Sequence, residues 1–103
     1  MVLRMTQEAT GAPALGEGEL SGVAVDVASV DGAVQIRRVV PGSAAARAGL
    51  RVGDEVVTVD GESAIVASQA RAMLRGAPGV EAIIEVRRRG RNRRIVVRRE
   101  RYR

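Results

Sequence analysis

The residues that most often perform catalysis are missing from this sequence. It contains no histidine, cysteine or lysine, which removes the usual general base, the thiol nucleophile, the Schiff-base amine and the common zinc ligands. The twelve carboxylates include no pair in a recognisable catalytic motif. We therefore expect a protein that is not an enzyme and that has no catalytic residues, no metal site and no cofactor.

Arginine supplies the whole basic charge and is concentrated at the end of the chain. The segment 87–103, RRRGRNRRIVVRRERYR, holds ten arginines and one glutamate, and the pI of the chain is about 11.3. Such a segment can contact nucleic acid phosphates or an anionic membrane. Proteins that bind single-stranded nucleic acid usually carry aromatic side chains between their basic residues. Tyr102 is the sole aromatic residue of this sequence. A basic scaffold that binds through this hairpin is therefore the alternative functional hypothesis, beside a hairpin with a solvated arginine face.

The length of 103 residues favours one domain with its own core. We expect a tail or linker over residues 1–19, which are rich in Gly, Ala and Glu, a domain over 20–101, and a short C-terminal end at 102–103. The tail lacks the apolar stretch of a signal peptide, and no apolar run reaches the roughly 18 residues of a membrane span. We expect a monomer, and without cysteine the composition indicates no cellular compartment.

The chain is predicted to contain five strands and two helices. In LSGVAVDVASVDG, residues 20–32, valine alternates with smaller or polar residues up to an Asp-Gly turn, as in a strand with one buried face. AVQIRRVV continues as a second strand. PGSAAARAGL forms a short helix that Ser43 caps and Gly49 ends. GDEVVTVDGE forms a buried strand that ends at a second Asp-Gly turn. IVASQARAMLRG predicts a longer helix with Val66, Ala70, Met73 and Leu74 on one apolar stripe. Two strands around Gly90-Arg91-Asn92 close the chain. The order is β, β, α, β, α, β, β.

This series of motifs resembles a PDZ domain, and in particular the PDZ domains of bacterial C-terminal processing proteases. PGSAAARAGL, RVGDEVVTVDGE and a helix ending LRG occur here in the family's order over about residues 20–100. The resemblance implies an α+β fold: a small, partly open β-barrel or sandwich of five or six strands with two helices. It also implies the circularly permuted strand order of bacterial members, in which the last strand, residues 93–99, occupies a sheet edge.

The resemblance further implies that the chain binds peptides by strand addition between the second strand and the longer helix. An exposed strand edge has unpaired N–H and C=O groups that an extended peptide satisfies. The family's carboxylate-binding loop matches Gly22, Val23, Ala24 and Val25, where the last three N–H groups would hold the terminal carboxylate of a ligand. The expected partners are C-terminal or extended peptides. The parent would be a larger protease or an envelope protein, located in the cell envelope or periplasm if it follows that family.

The peptide groove implied by the same resemblance has two walls and a pocket for the ligand's last side chain. Val23, Val25, Val27 and Leu74 would line the pocket and accept a modest apolar residue. Ala67 stands where many animal members have a histidine, so we expect a small or apolar ligand residue two places before the end. The positive charge of Arg71 would favour acidic residues upstream in the ligand. The full predicted groove consists of Asp26, Val27, Ala28, Ala67, Ala70, Arg71 and Leu74.

Two features leave other ligands open at this stage. Ala24 replaces the second glycine of the family's loop, and Glu17 and Glu19 place negative charge just before it. An approaching carboxylate would be repelled by about 1 kcal/mol at a surface dielectric. Binding of an internal extended segment is thus an alternative to recognition of a free C-terminus. A third possibility is a groove that is closed or filled by the protein's own N-terminal tail.

Overall fold

The computed structural model describes residues 20–102, and the predicted tail over 1–19 lies outside these residues. Within these residues, eight strands and two helices follow one another. In order they are β1 (Leu20–Gly22), β2 (Val25–Val30), β3 (Ala33–Val39), α1 (Ala44–Ala48), β4 (Glu55–Val59), β5 (Glu62–Ser63), α2 (Ala67–Leu74), β6 (Glu81–Arg88), β7 (Arg91–Arg98) and β8 (Glu100–Tyr102).

Six of the strands form one antiparallel sheet in the order β2-β3-β4-β6-β7, with β5 paired to β4 beside this path. β1 and β8 form a separate two-stranded sheet in which Leu20 lies opposite Tyr102. The predicted fold class is confirmed: the domain is an α+β open sandwich with a six-stranded sheet and two helices. β7 occupies a sheet edge, as the permuted order implied. It begins two residues before the predicted start at residue 93 and ends one residue before the predicted end at residue 99. β2 is the opposite edge.

Three two-residue turns connect strands of the main sheet. Both residues of each turn have positive φ, the form whose twist matches that of paired strands, in Asp31-Gly32, Asp60-Gly61 and Arg89-Gly90. The two Asp-Gly turns agree with the prediction from sequence. The third turn was predicted at Gly90-Arg91-Asn92, which is wrong by one residue. Gly90 takes the second turn position, so that Arg89 adopts a φ of 52° and β7 begins at Arg91.

The two helices are held at their ends by polar groups. Ser43 Oγ accepts a hydrogen bond from the Ala46 N–H at 3.1 Å, and Gly49 ends α1 with a φ of 100°, as the sequence predicted. α2 has no such cap of its own. Its first N–H, that of Ala67, donates instead to Ser29 Oγ on β2 at 2.9 Å. Neither helix within residues 20–102 is long and apolar enough to cross a membrane.

The core lies between the main sheet and the helices and consists of small aliphatic side chains. Ala70 and Leu74 from α2 are buried in it, and Met73 packs against it. Val66, the fourth member of the predicted apolar stripe, precedes the helix and is 47% exposed. The sheet contributes alternate residues, chiefly Val25, Val27, Val34, Ile36, Val56, Val59, Ala82, Ile84, Val86 and Val97.

Arg88 and Asp54 form a buried ion pair that fixes the loop before β4. Both carboxylate oxygens of Asp54 accept hydrogen bonds from the Arg88 guanidinium at 2.7 Å, and the Arg51 N–H donates to the same carboxylate. Burial works to raise the pKa of Asp54, but the hydrogen bonds and positive charges of Arg88 and Arg51 hold it below the ordinary value. Arg88 also donates to the Gly49 carbonyl at the end of α1.

Arg99 is buried to 6% exposure and holds the end of α2. Its guanidinium donates to the carbonyls of Met73 at 2.9 Å and Leu74 at 3.2 Å, which belong to the last turn of the helix. It also reaches Asp60 Oδ2 at 3.2 Å. Because the last carbonyls of a helix have no partner within it, this arginine fixes where α2 ends, beside the loop between β1 and β2.

Candidate functional site

The free edge of β2 faces α2. Among the described strands β2 pairs with β3 alone, so its other edge keeps backbone donors and acceptors unpaired by a strand. Two side-chain bonds join the helix to this edge: Ser29 Oγ accepts from Ala67, and the Arg71 guanidinium donates to the Val27 carbonyl at 3.1 Å. The arrangement forms a shallow groove whose walls are β2 and α2, and we call it the β2–α2 groove.

A small pocket of about 90 Å³ lies at the loop end of the β2–α2 groove. Its apolar wall is formed by Val23, Val25 and Leu74, each less than 8% exposed. Its rim is charged, with a carboxylate and two guanidinium groups. The full lining is Leu20, Val23, Val25, Asp26, Arg71, Leu74, Arg75 and Tyr102. This volume suits one small apolar side chain with a polar or charged group at the rim.

The loop before β2 depends on glycine at its first position. Gly22 has a φ of 152°, and a Cβ built on it would lie 2.5 Å from the Leu74 carbonyl oxygen and 2.8 Å from Arg75 Cα. Any other residue would force the loop away from the end of α2. Gly22 is therefore required both for its positive φ and for its close packing against the end of the helix.

Two of the three expected carboxylate donors already have partners. The Val23 N–H donates to the Leu74 carbonyl at 3.1 Å, and the Val25 N–H donates to the Val23 carbonyl at 2.9 Å. Within residues 20–102 the Ala24 N–H has no acceptor, while its carbonyl accepts from Val40. The loop therefore does not present three free, convergent N–H groups in this structure.

The remaining predicted residues fall at different depths. Asp26 is exposed at the rim and Ala28 is half-buried, whereas Val27 is buried and presents its carbonyl to the helix. Ala67 is 8% exposed beside Ser29, and Ala70 has no exposed surface because it packs into the core. Arg71 and Leu74 lie on the pocket lining. Val27 is absent from that lining because its side chain faces the core further along β2.

Sequence reasoning missed three residues of this pocket, Leu20, Arg75 and Tyr102. Tyr102 was assigned to the chain end, but it pairs with Leu20 and so reaches the mouth of the pocket. Burial raises the pKa of the Tyr102 hydroxyl, the Asp26 carboxylate adds to the rise, and the Arg75 guanidinium opposes it. The one available signal was that Tyr102 is the sole aromatic residue of the sequence.

Within the described part of the chain no group of three or more acidic side chains is placed to hold a metal ion. The polar groups of the β2–α2 groove are backbone amides, the hydroxyls of Ser29 and Tyr102, one carboxylate and two guanidinium groups. Such groups bind and orient a ligand through hydrogen bonds and charge.

Comparisons with solved structures find the same fold in other proteins. The PDZ domain of the carboxy-terminal protease from Vibrio cholerae, solved in complex with a peptide, is 21% identical with a TM-score of 0.70, over 82% of this chain and 98% of that one. The photosystem II D1 C-terminal processing protease is 25% identical with a TM-score of 0.73, over 81% and 24%. The HtrA-type protease AlgW with a decapeptide is 19% identical with a TM-score of 0.74, over 82% and 30%. The chain thus spans under a third of the length of these two longer proteases.

The resemblance stated from the motifs is confirmed by a match at the level of sequence families. No curated protein sequence matches the chain significantly. A family model described as PDZ domain matches residues 35–88, which is more than half of the chain and covers the elements from β3 to β6. The chain therefore belongs to the PDZ domain family.

Proposed function

We propose that this domain captures the C-terminal or an extended segment of a protein partner by adding it as a strand in the β2–α2 groove. The observation that supports this most directly is the coincidence of a free β2 edge with a small apolar pocket at its loop end. An extended peptide would satisfy the backbone groups of the edge, and its last side chain would enter the pocket. Three similar solved structures are of proteases or their PDZ domains, two of them with a peptide.

Docking requires Arg71 to leave the edge of β2. Its guanidinium occupies the Val27 carbonyl, which is the acceptor that a backbone N–H of the incoming strand would use. Once displaced, the guanidinium stands above the ligand's upstream residues. An acidic side chain there would compensate for the lost hydrogen bond. Arg71 therefore makes binding dependent on ligand sequence, with ligands that lack an acidic residue at a disadvantage.

The terminal carboxylate, where the ligand has one, is held chiefly by Arg75. Two loop N–H groups are engaged within the protein, so the amides offer less than in a loop with three free donors. The Arg75 guanidinium is on the pocket rim and can pair with a carboxylate directly. An internal extended segment would lack this contact but keep the backbone pairing. We infer that both kinds of ligand bind and that a free C-terminus binds more tightly.

A C-terminal peptide library displayed on phage tests the proposal. The wild-type domain is expected to select peptides that end in a small apolar residue. Val25→Asp should abolish selection by placing a charge in the pocket, and because Val25 is buried, its folding must be checked by circular dichroism. Arg71→Glu is the surface variant and should reverse the preference for acidic upstream residues, whereas Arg94→Glu, on β7, should leave it unchanged. Failure of the wild type to select any peptide would contradict the proposal.

The role of the domain in a longer protein follows from this activity. In a protease or an envelope protein it would hold a partner or substrate close to the remaining domains. The local concentration of that segment would rise through the linkage alone. Deleting the domain from the full-length parent, beside the Val25→Asp variant, would show whether capture of the peptide is needed for the parent's activity on that partner.

A further inference from the structure

A cleft of about 720 Å³, much larger than the pocket of the β2–α2 groove, lies where the β6–β7 turn meets the loop before β4. One wall is the loop with Arg51 and Asp54. The other is the end of the hairpin. This wall contributes four arginines, Arg88, Arg89, Arg91 and Arg93. The cleft and the pocket of the groove share no lining residue, so a ligand of one leaves the other accessible.

Most of the positive charge in this arginine cleft has no partner among the residues that the structure describes. Asp54 is the sole carboxylate on its lining, and it is bound through both oxygens to Arg88. The other four guanidinium groups make no hydrogen bond or ion pair with a residue among those described, 20–102. Like charges gathered without a counter-charge repel one another and attract anions from solution. The cleft is therefore a concentrated site of positive potential.

Protection of the sheet edge does not account for this cluster. Charged residues on an edge strand hinder pairing with other chains, and Arg94 and Arg98 on one face of β7 suffice for that purpose. Arg91 and Arg93 point to the other face, as strand alternation requires. Arg51 comes from a loop far away in sequence and converges on the same space. Convergence from two separate segments is what an anion-binding site requires.

We propose that the arginine cleft binds a compact group with several phosphates. A guanidinium presents a planar fork of donors that matches phosphate oxygens in pairs, and four free forks around one concavity suit several phosphates close together. The concave shape favours a compact anion over the flat face of a bilayer. No aromatic residue lines the cleft to stack nucleobases. The group can belong to a soluble phosphate compound or to a lipid headgroup.

Inositol hexakisphosphate is a suitable probe, measured by isothermal titration calorimetry at physiological salt. The wild-type domain should bind it, and Arg91→Ala with Arg93→Ala should weaken binding by about tenfold for each arginine, the loss expected for one charge-assisted contact. Arg51→Ala, on the opposite wall, should cost a similar factor. The matched control is Arg94→Ala with Arg98→Ala, which removes the same charge from the same strand on its other face and should change affinity by less than about twofold.

Two further arms identify the source of the phosphates and can overturn the proposal. Phosphatidylcholine vesicles with and without phosphatidylinositol bisphosphate are tested with the same variants. Cleft-dependent binding to the phosphoinositide vesicles identifies a lipid headgroup, and binding to the soluble probe alone identifies a soluble compound. The proposal is wrong if neither probe binds, if the control pair weakens binding as much as the cleft pair, or if duplex DNA binds and the compact phosphate does not. Thermal unfolding of each variant shows that its fold is retained.

Discussion

Replacing Arg71 with alanine should increase the affinity for uncharged peptides and reduce the advantage that acidic peptides have over them. In the free domain the Arg71 guanidinium donates to the Val27 carbonyl at 3.1 Å and so occupies the docking edge of β2. The variant Arg71→Ala frees this acceptor before the ligand arrives. It also removes the positive charge from the upstream part of the groove. The two effects have opposite signs for a ligand with an acidic residue there.

The magnitudes follow from the two interactions. This hydrogen bond has a charged donor and is only partly buried, so its net contribution is near the low end of the range for charged groups, about 1.5 kcal/mol. Its removal should tighten binding of an uncharged peptide by about 10-fold. A solvent-exposed ion pair contributes about 0.2 to 1 kcal/mol. The preference for an acidic over a neutral peptide should therefore fall by about 1.5- to 5-fold in the variant. The ratio of the two affinities is the better test because release of the Val27 carbonyl affects both peptides equally.

Fluorescence anisotropy with two labelled peptides provides the assay. Both end in valine, carry alanine at the third residue from the end, and differ only by glutamate or glutamine at the fourth. Arg94→Ala, on the opposite edge strand, serves as the control and should leave both affinities unchanged. If Arg71→Ala weakened both peptides equally, or changed neither, Arg71 would not lie across the docking edge and the proposed geometry would be wrong.

Three other predictions follow from the loop, the pocket rim and the buried ion pair. Arg75→Ala should remove most of the preference for a free C-terminus over its amide, measured by competition with paired acid and amide peptides; an undiminished preference would assign the carboxylate to the loop amides instead. Gly22→Ala should lower the free energy of unfolding by about 3 kcal/mol, measured by urea denaturation, because the clash of its Cβ with the Leu74 carbonyl adds to the strain of a positive φ. Gly32→Ala is the control, with a positive φ but no atom within 4 Å, and should cost about 1 to 2 kcal/mol or less; equal losses would refute the packing argument. The pKa of Asp54 is lower in the folded protein than its ordinary value of 3.8, so the unfolded chain binds the proton first as pH falls. The stability from its pair with Arg88 should thus be complete near neutral pH and decline below about pH 4. Asp54→Asn should lower stability at neutral pH and reduce its dependence on acid pH. Thermal unfolding measured across this pH range checks both effects.

Local signals predicted most of the fold. Valine alternation gave β2, the two Asp-Gly pairs gave turns with positive φ, and Ser43 with Gly49 bounded α1 as capping residues do. The β6–β7 turn was misplaced because the run of arginines around Gly90 has no alternation to set the register. The pairing of β8 with β1 was also missed. Three-residue strands contain too few positions to show a period.

The site was predicted in part, because a resemblance carries residues over by position and does not give their hydrogen bonds. The loop Gly22 to Val25 lies at the end of α2 as implied, but the engagement of the Val23 N–H depends on where the helix ends. That end is held by Arg99, whose role needs contacts with carbonyls distant in sequence. Arg75 and Tyr102 reach the pocket through tertiary pairing, which no local pattern encodes.

The most direct test of the account is to map a bound peptide by NMR. A ¹⁵N-labelled domain would be titrated with an unlabelled octapeptide that ends in valine. The account predicts the largest amide shifts over Val25–Ser29 and Arg71–Arg75, and slower hydrogen exchange at the Val27 amide once the peptide strand pairs with it. Shifts concentrated along Arg91–Arg98, the other edge strand of the main sheet, would contradict the claim that peptides bind in the β2–α2 groove.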